Sequence, residues 1–370
     1  MGNKTGRNKK RKNKNRAGIV LLIVIAALGG MAYANRGALK RGAAIDAGKT
    51  VFRFETGQQY QFAVSKNNLL ALNGEGVTCV SQSGAAVWNA QRQASNPCMQ
   101  SEGGYTLLFD RGNRDVAAYD GGTLLWELQT EQPIITAKIN QKGYSAVVTY
   151  DVGYKSRIEV YDARGGLVYQ WRLGDRYVVD AEVSPDCNYF AAAVISPDGA
   201  SLTSKIIVVD IDAEQAIGET ARADSLVMQI KYQADGSIVA LCENELVGVS
   251  AKGERQWAAD FGGRELQHFK LSYDTNCVLV FAGSRNNSIL EVYSRDGKKT
   301  GEYVSDSEIT DIDVRRNVIA AAEHRSVVLL NLKGAARARL ETRKEVKKSM
   351  LTANGNLALA GGGTVDVIKP

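Results

Sequence analysis

The sequence predicts an all-β chain folded as an eight-bladed β-propeller, with seven blades as the alternative count, preceded by one transmembrane helix. Three observations carry this. Strand–turn–strand segments bearing a tryptophan recur along the chain. The recurring unit is about 35–50 residues long, the period of a four-stranded blade. Long amphipathic helices are absent after residue 45.

The N-terminus comes first. Residues 1–41 hold eleven basic residues and no acidic one, which leaves 35 basic against 40 acidic residues and a charge of −5 for the remainder. The net charge of +6 therefore reports a tail, and the folded part shows no electrostatic footprint for nucleic acid. After residues 1–16 comes the uncharged run Ala17 to Ala34, AGIVLLIVIAALGGMAYA. Eighteen residues of helix span about 27 Å, enough for a bilayer core. The basic cluster ahead of it places 1–16 in the cytoplasm and the rest outside. The expected order is a basic cytoplasmic tail (1–16), a transmembrane helix (17–34), a linker (35–47) and a propeller (48–370). The lipid bilayer is then one partner, reached through 17–34. Ala32-Tyr33-Ala34 also fits the cleavage site of a signal peptide, which stays open as the alternative.

The repeat is read from its hairpins. VAAYDGGTLLWEL at 116–128 has relatives in VTCVSQSGAAVWNA (77–90), IEVYDARGGLVYQWRL (158–173) and LVGVSAKGERQWAADF (246–261), with weaker copies at 206–220, 289–304 and 327–340. All four tryptophans, Trp88, Trp126, Trp171 and Trp257, follow a turn glycine by four or five residues. Each copy is preceded by two more short strands, as in DAEVSPDCNYFAAAV at 180–194, punctuated by Gly, Asp and Asn. Seven complete units run from about Gln59 to Val346, and 348–370 supplies three strands of another. TVFRFETG at 50–57 is the candidate for its missing fourth strand, so the two termini are expected to pair and close the ring. Closure removes exposed sheet edges.

The segment AAYDGGTLLWEL resembles the repeat of PQQ-like and WD-repeat-like propellers, in which a turn glycine precedes a strand tryptophan. With its anchor, the chain resembles single-pass propeller proteins of Gram-positive bacteria grouped as a domain of unknown function. The resemblance covers 48–370 and implies fold far more than function. Quinone-dependent members use an adjacent-cysteine disulfide and a calcium site. This sequence has no Cys-Cys pair, so no cofactor is expected and the tryptophans are read as packing between blades.

Chemistry is sparse. There are only two histidines, His268 and His324, with no zinc-protease pattern around either, and no G-x-S-x-G elbow. The five cysteines, Cys79, Cys98, Cys187, Cys242 and Cys277, are widely spaced without CxxC and read as packed thiols. Gly361-Gly362-Gly363 precedes a strand and reads as a turn. No metal or catalytic residues are assigned. One pattern does stand out on five successive innermost strands, which read Thr136-Ala-Lys138, Asp180-Ala-Glu182, Gln229-Ile-Lys231, His268-Phe-Lys270 and Asp311-Ile-Asp313. The candidate ligand site is a charged channel mouth of Lys138, Asp180, Glu182, Lys231, Lys270, Asp311 and Asp313. The competing reading is a set of inter-blade ion pairs, because buried charges need partners. Two loops, 149–156 with Tyr150 and Tyr154, and 195–205, form a candidate adhesive rim.

The expected function is a non-catalytic, membrane-tethered extracytoplasmic scaffold or recognition module for an envelope protein or cell-wall polymer. The expected location is the bacterial cell membrane. The alternative is an extracytoplasmic glycan-active enzyme using Asp180, Glu182, Asp311 or Asp313, two carboxylates across the axis serving as acid and base.

Overall fold

The computed structural model describes residues 48–369, apart from positions 200, 214, 223, 224 and 275. The basic tail, the apolar segment 17–34 and the linker 35–47 lie outside the described residues. Among those described, no helix is long and apolar enough to cross a membrane.

Among the described residues, Gly-, Asp- and Asn-punctuated runs of β-branched residues form 32 strands in eight antiparallel four-stranded sheets. Seven sheets each use four consecutive strands. The eighth takes β30 (Lys348–Leu351), β31 (Leu357–Gly361) and β32 (Thr364–Ile368) from the C-terminal end. Its fourth strand is β1 (Lys49–Arg53), which pairs antiparallel with β32, Lys49 opposite Val367 and Arg53 opposite Thr364. The unit that carries the weak copy at 327–340 is a complete sheet, from β26 (Ile309–Arg315) to β29 (Ala336–Glu341), and the fold is an eight-bladed propeller.

The core is divided among the joints between sheets. Val116, Ala118 and Trp126 of the second sheet pack with Ile134, Ala137 and Val147 of the third, and Val51, Met350 and Val365 of the eighth pack with Leu69 and Val80 of the first. At the outer rim, Trp88, Trp126 and Trp257 each lean on a turn of the next sheet, whereas Trp171 meets the strand residue Phe190 edge-on at 6.2 Å. Trp88 stacks on Tyr119, with ring centroids 5.6 Å apart, and lies against Gly122; Trp126 meets Tyr161 at 5.6 Å and lies against Gly165. Trp257 lies against Gly297 and donates its indole N–H to the Arg295 carbonyl at 2.8 Å. These glycines serve two needs at once. The turn requires positive φ, +82° at Gly165, and the indole leaves no room for a Cβ, which at Gly165 would stand 2.7 Å from Trp126.

A second joint uses buried serines on third strands. The hydroxyls of Ser156, Ser204 and Ser288 accept the N–H of Val178, Val227 and Ile309, near the start of the next innermost strand, at 3.0 Å each. On the same third strands a Glu-Val-Tyr motif recurs, Tyr161 donating to Glu159 at 3.1 Å and Tyr293 to Glu291 at 2.6 Å. Four cysteines are buried and Cys187 is half-buried; burial pushes the Cys79 and Cys277 thiols up to about 11.

The segment 195–205, expected as a loop, is mostly strand. β15 (Tyr189–Asp198) and β16 (Ser201–Asp210) continue pairing out to Asp198 opposite Ser201. Ser196 and Thr203 face each other across this extension, with their hydroxyls 3.0 Å apart.

Two predictions follow from the joints. Gly165→Ala is expected to cost about 1–3 kcal/mol more than Gly112→Ala in urea denaturation. The two positions share nearly the same φ, +82° and +83°, but nothing stands within 4 Å of a Cβ at Gly112. Equal costs would remove the tryptophan joint from the stability of the disc. The second concerns Glu291. Burial opposes its ionisation, but Arg264, Lys299 and Tyr293 outweigh it and bring its pKa down to about 2. Because the folded value is depressed, its stabilisation is present above about pH 4.5 and is lost as pH falls toward 2, up to about 3 kcal/mol. Glu291→Gln is expected to remove that share of the acid-side loss, measured as denaturation midpoint against pH.

Candidate functional site

An innermost strand has one edge in its own sheet and the other facing the axis, where its N–H groups have no strand to pair with. The inner strands are β6 (Pro97–Glu102), β10 (Ile134–Ile139), β14 (Tyr177–Val183), β18 (Val227–Tyr232), β22 (Leu266–Lys270), β26 and β30, with β2 (Gln61–Ser65) in the first sheet. A β-bulge interrupts β10, β14, β18, β22 and β26 at one shared place, just before Thr136, Asp180, Gln229, His268 and Asp311. These are the first residues of the five triplets singled out in sequence, so the bulge sets the same alternation on every one.

The carboxylates of these triplets cap the exposed edges. Asp180 accepts the Ile230 N–H at 2.9 Å and Glu182 the Tyr232 N–H at 3.3 Å, from the fourth sheet to the fifth. Asp311 accepts the Ser349 N–H at 2.7 Å and Asp313 the Leu351 N–H at 2.8 Å, from the seventh sheet to the eighth. Gln61 does the same work without charge, donating to the Pro97 carbonyl and accepting the Met99 N–H.

Lysines then neutralise the acids. Lys138 donates to Asp180 at 2.5 Å and to the Ile230 carbonyl at 2.6 Å, with Glu182 at 3.6 Å. Lys231 donates to Glu182 at 2.7 Å and to Glu102 at 3.0 Å, joining the second sheet to the fifth across the axis. Lys270 pairs with Asp313 at 3.0 Å, and Lys348 with Asp311 at 2.8 Å. Burial pushes the Asp180 carboxyl up, against the pull of Lys138. Burial works against the charge on Lys231, but Glu182 and Glu102 outweigh it and hold its pKa above the ordinary value. Asp313 does the same for Lys270.

Six of these strands, β6, β10, β18, β22, β26 and β30, line an axial cavity of about 450 Å³. Lys138, Lys231, Lys270 and Lys348 all line it, together with Glu102 and Asp311, whereas Asp180, Glu182 and Asp313 sit behind the wall. Thus all seven charged residues proposed from sequence are paired at the axis, in three groups: Lys138, Asp180, Glu182 and Lys231 with Glu102, Lys270 with Asp313, and Asp311 with Lys348. Tyr150 and Tyr154 do not join it. They lie at the turn between β11 (Ser145–Asp151) and β12 (Tyr154–Tyr161), on the face where inner strands begin, hereafter the upper face. Tyr154 takes Arg172 over its ring, and Lys155 stands over Tyr177 at 5.3 Å.

Sequence reading missed Glu102 and Lys348. Gln100-Ser101-Glu102 and Lys348-Ser349-Met350 occupy the aligned positions in the second and eighth sheets, and extending the alignment of inner strands by one unit in each direction finds them. Among the described residues, no group of three or more His, Cys, Asp or Glu side chains is placed to hold a metal ion.

The architecture and axial network define an eight-bladed β-propeller with a charged, internally paired axis. A family model matches residues 47–369, and the chain belongs to that family, DUF5711, a family of unknown function. No curated protein matches the chain. The fold is similar to the computationally designed Ika8 protein, at TM-score 0.63 and 15% identity over 87% of this chain and 100% of that one. It is similar to BamB from Moraxella catarrhalis, at TM-score 0.53 and 17% identity over 86% and 96%. It is also similar to the C-terminal WD40 domain of Sif2, at TM-score 0.63 and 11% identity over 89% and 100%. At these identities the likeness concerns the fold.

Glu182 serves Lys138, Lys231 and the Tyr232 N–H while only 3% exposed. Glu182→Ala is therefore expected to destabilise the propeller by about 3–5 kcal/mol, as expected when one partner of a buried pair is removed. Lys298→Ala, which breaks the exposed pair with Asp296, is expected to leave stability unchanged. Chemical denaturation of the two variants reads the contrast, and a Glu182→Ala protein as stable as the parent refutes the pinning role.

Proposed function

We propose that this chain is a non-catalytic, membrane-tethered recognition module whose propeller stands outside the cytoplasmic membrane and assembles envelope proteins on its upper face. The observation that carries the reading is a contrast between two surfaces. The axial carboxylates are engaged with lysines and with neighbouring backbone. On the upper face, Tyr150, Val152, Tyr154, Tyr177 and Leu202 are exposed on and beside two hairpins of the third and fourth sheets, Val152 at 76%. Exposed tyrosines and aliphatic groups gathered at one place suit a protein contact. Arg172 and Lys155 stacked on two of those rings pre-order the patch, which reduces the entropy lost on binding.

The anchor rests on the sequence of 17–34 and the basic residues before it, which favour a single pass with the N-terminus in the cytoplasm. We infer further that β1 pairing with β32 latches the ring, so the tether pulls on the strand that completes the last blade. A latched disc transmits load without opening, which suits a scaffold. The carboxylates of the enzymatic alternative hydrogen-bond backbone N–H groups and lysines, and no observation favours that reading.

The test is photo-cross-linking in cells from a probe at Val152, followed by mass spectrometry. Recurrent envelope proteins are expected, and their capture is expected to disappear in Tyr150→Ser/Tyr154→Ser with unchanged thermal stability. Capture of glycan alone points instead to a wall polymer. Protein capture that survives both substitutions refutes the upper-face assignment.

A further inference from the structure

Independently of the upper-face reading, the axial cavity has the chemistry of a small-anion site. The acids and lysines of the network are not equally turned toward it. Asp180, Glu182 and Asp313 are spent on backbone N–H groups behind the wall, while all four lysines line the cavity with only Glu102 and Asp311 among them. The wall therefore presents an excess of ammonium groups even though the network as a whole does not.

The lysines also differ in what they have left to give. An ammonium has three donors. Lys138 spends two on Asp180 and the Ile230 carbonyl, stands 3.6 Å from Glu182, and its side chain is only 10% exposed. Lys270 and Lys348 each make one ion pair, with Asp313 and Asp311, and keep 46% and 43% of their side chains open. His268 lies two residues before Lys270 on β22 and lines the same cavity, as do the amides of Gln100 and Gln229. At about 450 Å³ the space falls in the range of small-molecule sites.

We propose that this cavity binds a small polyanion, a ligand with several anionic oxygens such as a di- or tricarboxylate or a phosphorylated small molecule. Lys270 and Lys348 are its principal contacts, and His268, Gln100 and Gln229 supply hydrogen bonds. Glu102 opposes the ligand, because it stands at the cavity and holds Lys231 at 3.0 Å.

The probes are sodium pyrophosphate and citrate, titrated calorimetrically into the full-length chain in detergent at constant ionic strength. Saturable binding of at least one is expected; preference for pyrophosphate assigns a phosphorylated ligand, and preference for citrate a carboxylate. Lys270→Gln and Lys348→Gln are each expected to weaken binding at least tenfold, Lys298→Gln to leave it unchanged, and Glu102→Gln to tighten it. Amine acetylation of the unaltered protein keeps the idea open to refutation if these variants fail to fold. The better probe is expected to protect Lys270 and Lys348 several-fold and to leave Lys298, 79% exposed, unprotected. Absence of saturable binding by both probes, or acetylation of Lys270 and Lys348 unaffected by a bound probe, overturns the proposal.

Discussion

The axis of this molecule is organised by an unpaired sheet edge. Each blade begins with a strand whose outer side hydrogen-bonds its own sheet and whose inner side has no neighbour in register. Leaving those N–H groups dry costs about 1–3 kcal/mol each. In two of the joints the answer is a carboxylate at alternate positions, Asp180 with Glu182 and Asp311 with Asp313, each reaching one blade forward. That choice forces the next one. A buried carboxylate needs a cation, so lysines fill the facing positions, and Lys231 bridges to Glu102 across the axis. The charged centre of the disc thus follows from a backbone problem, and its excess of wall-facing ammonium groups follows from where the acids had to point.

The rim solves a different problem. Blades diverge outward, so the gap between fourth strands widens and needs large side chains. An indole spans it, and the facing turn must recede to receive it. Glycine at positive φ provides the recess at Gly122, Gly165 and Gly297. The small residues Ala117, Ala118, Ala191 and Ala193 sit fully buried nearer the middle of the sheets. Indoles at the rim and alanines at close contacts between sheets help eight twisted sheets fit round one axis.

Most of the architecture was legible because its signals are local and repeated. A turn glycine followed by a strand tryptophan marks the third hairpin of a blade, and the three-strand remainder at 348–370 pointed to a partner strand at 50–57. The axial residues were legible as a pattern, but not as a mechanism. Alternation shows which residues share a side of a strand, while the forward reach of Asp180 to Ile230, fifty residues on, depends on how two sheets abut. The β-bulges that align the five triplets leave no fixed residue type behind, for Ile135, Val179, Met228, Gln267 and Thr310 occupy the extra position. Segment 195–205 was misread for a related reason. Pro197 and Gly199 are turn residues in most settings, but an edge-on hairpin tip accommodates both while pairing continues beside them.

The two sides of the axial ring are not equivalent, and the difference bears on how one disc could hold two roles. From the third sheet to the fifth, Lys138, Asp180, Glu182 and Lys231 form a largely buried set that is pinned to neighbouring backbone and extends to Glu102. From the sixth to the eighth, Lys270 and Lys348 make single pairs and remain open. The saturated side lies under the extended hairpins of the third and fourth sheets, where the exposed tyrosines gather. Rigid support beneath a contact surface limits the entropy that a partner must remove. The unsaturated side lies opposite, where an anion can bind without dismantling a joint, because Asp311 and Asp313 keep their backbone partners whether or not a lysine turns away. The fully spent charges and the partly spent ones therefore lie on different blades of one disc.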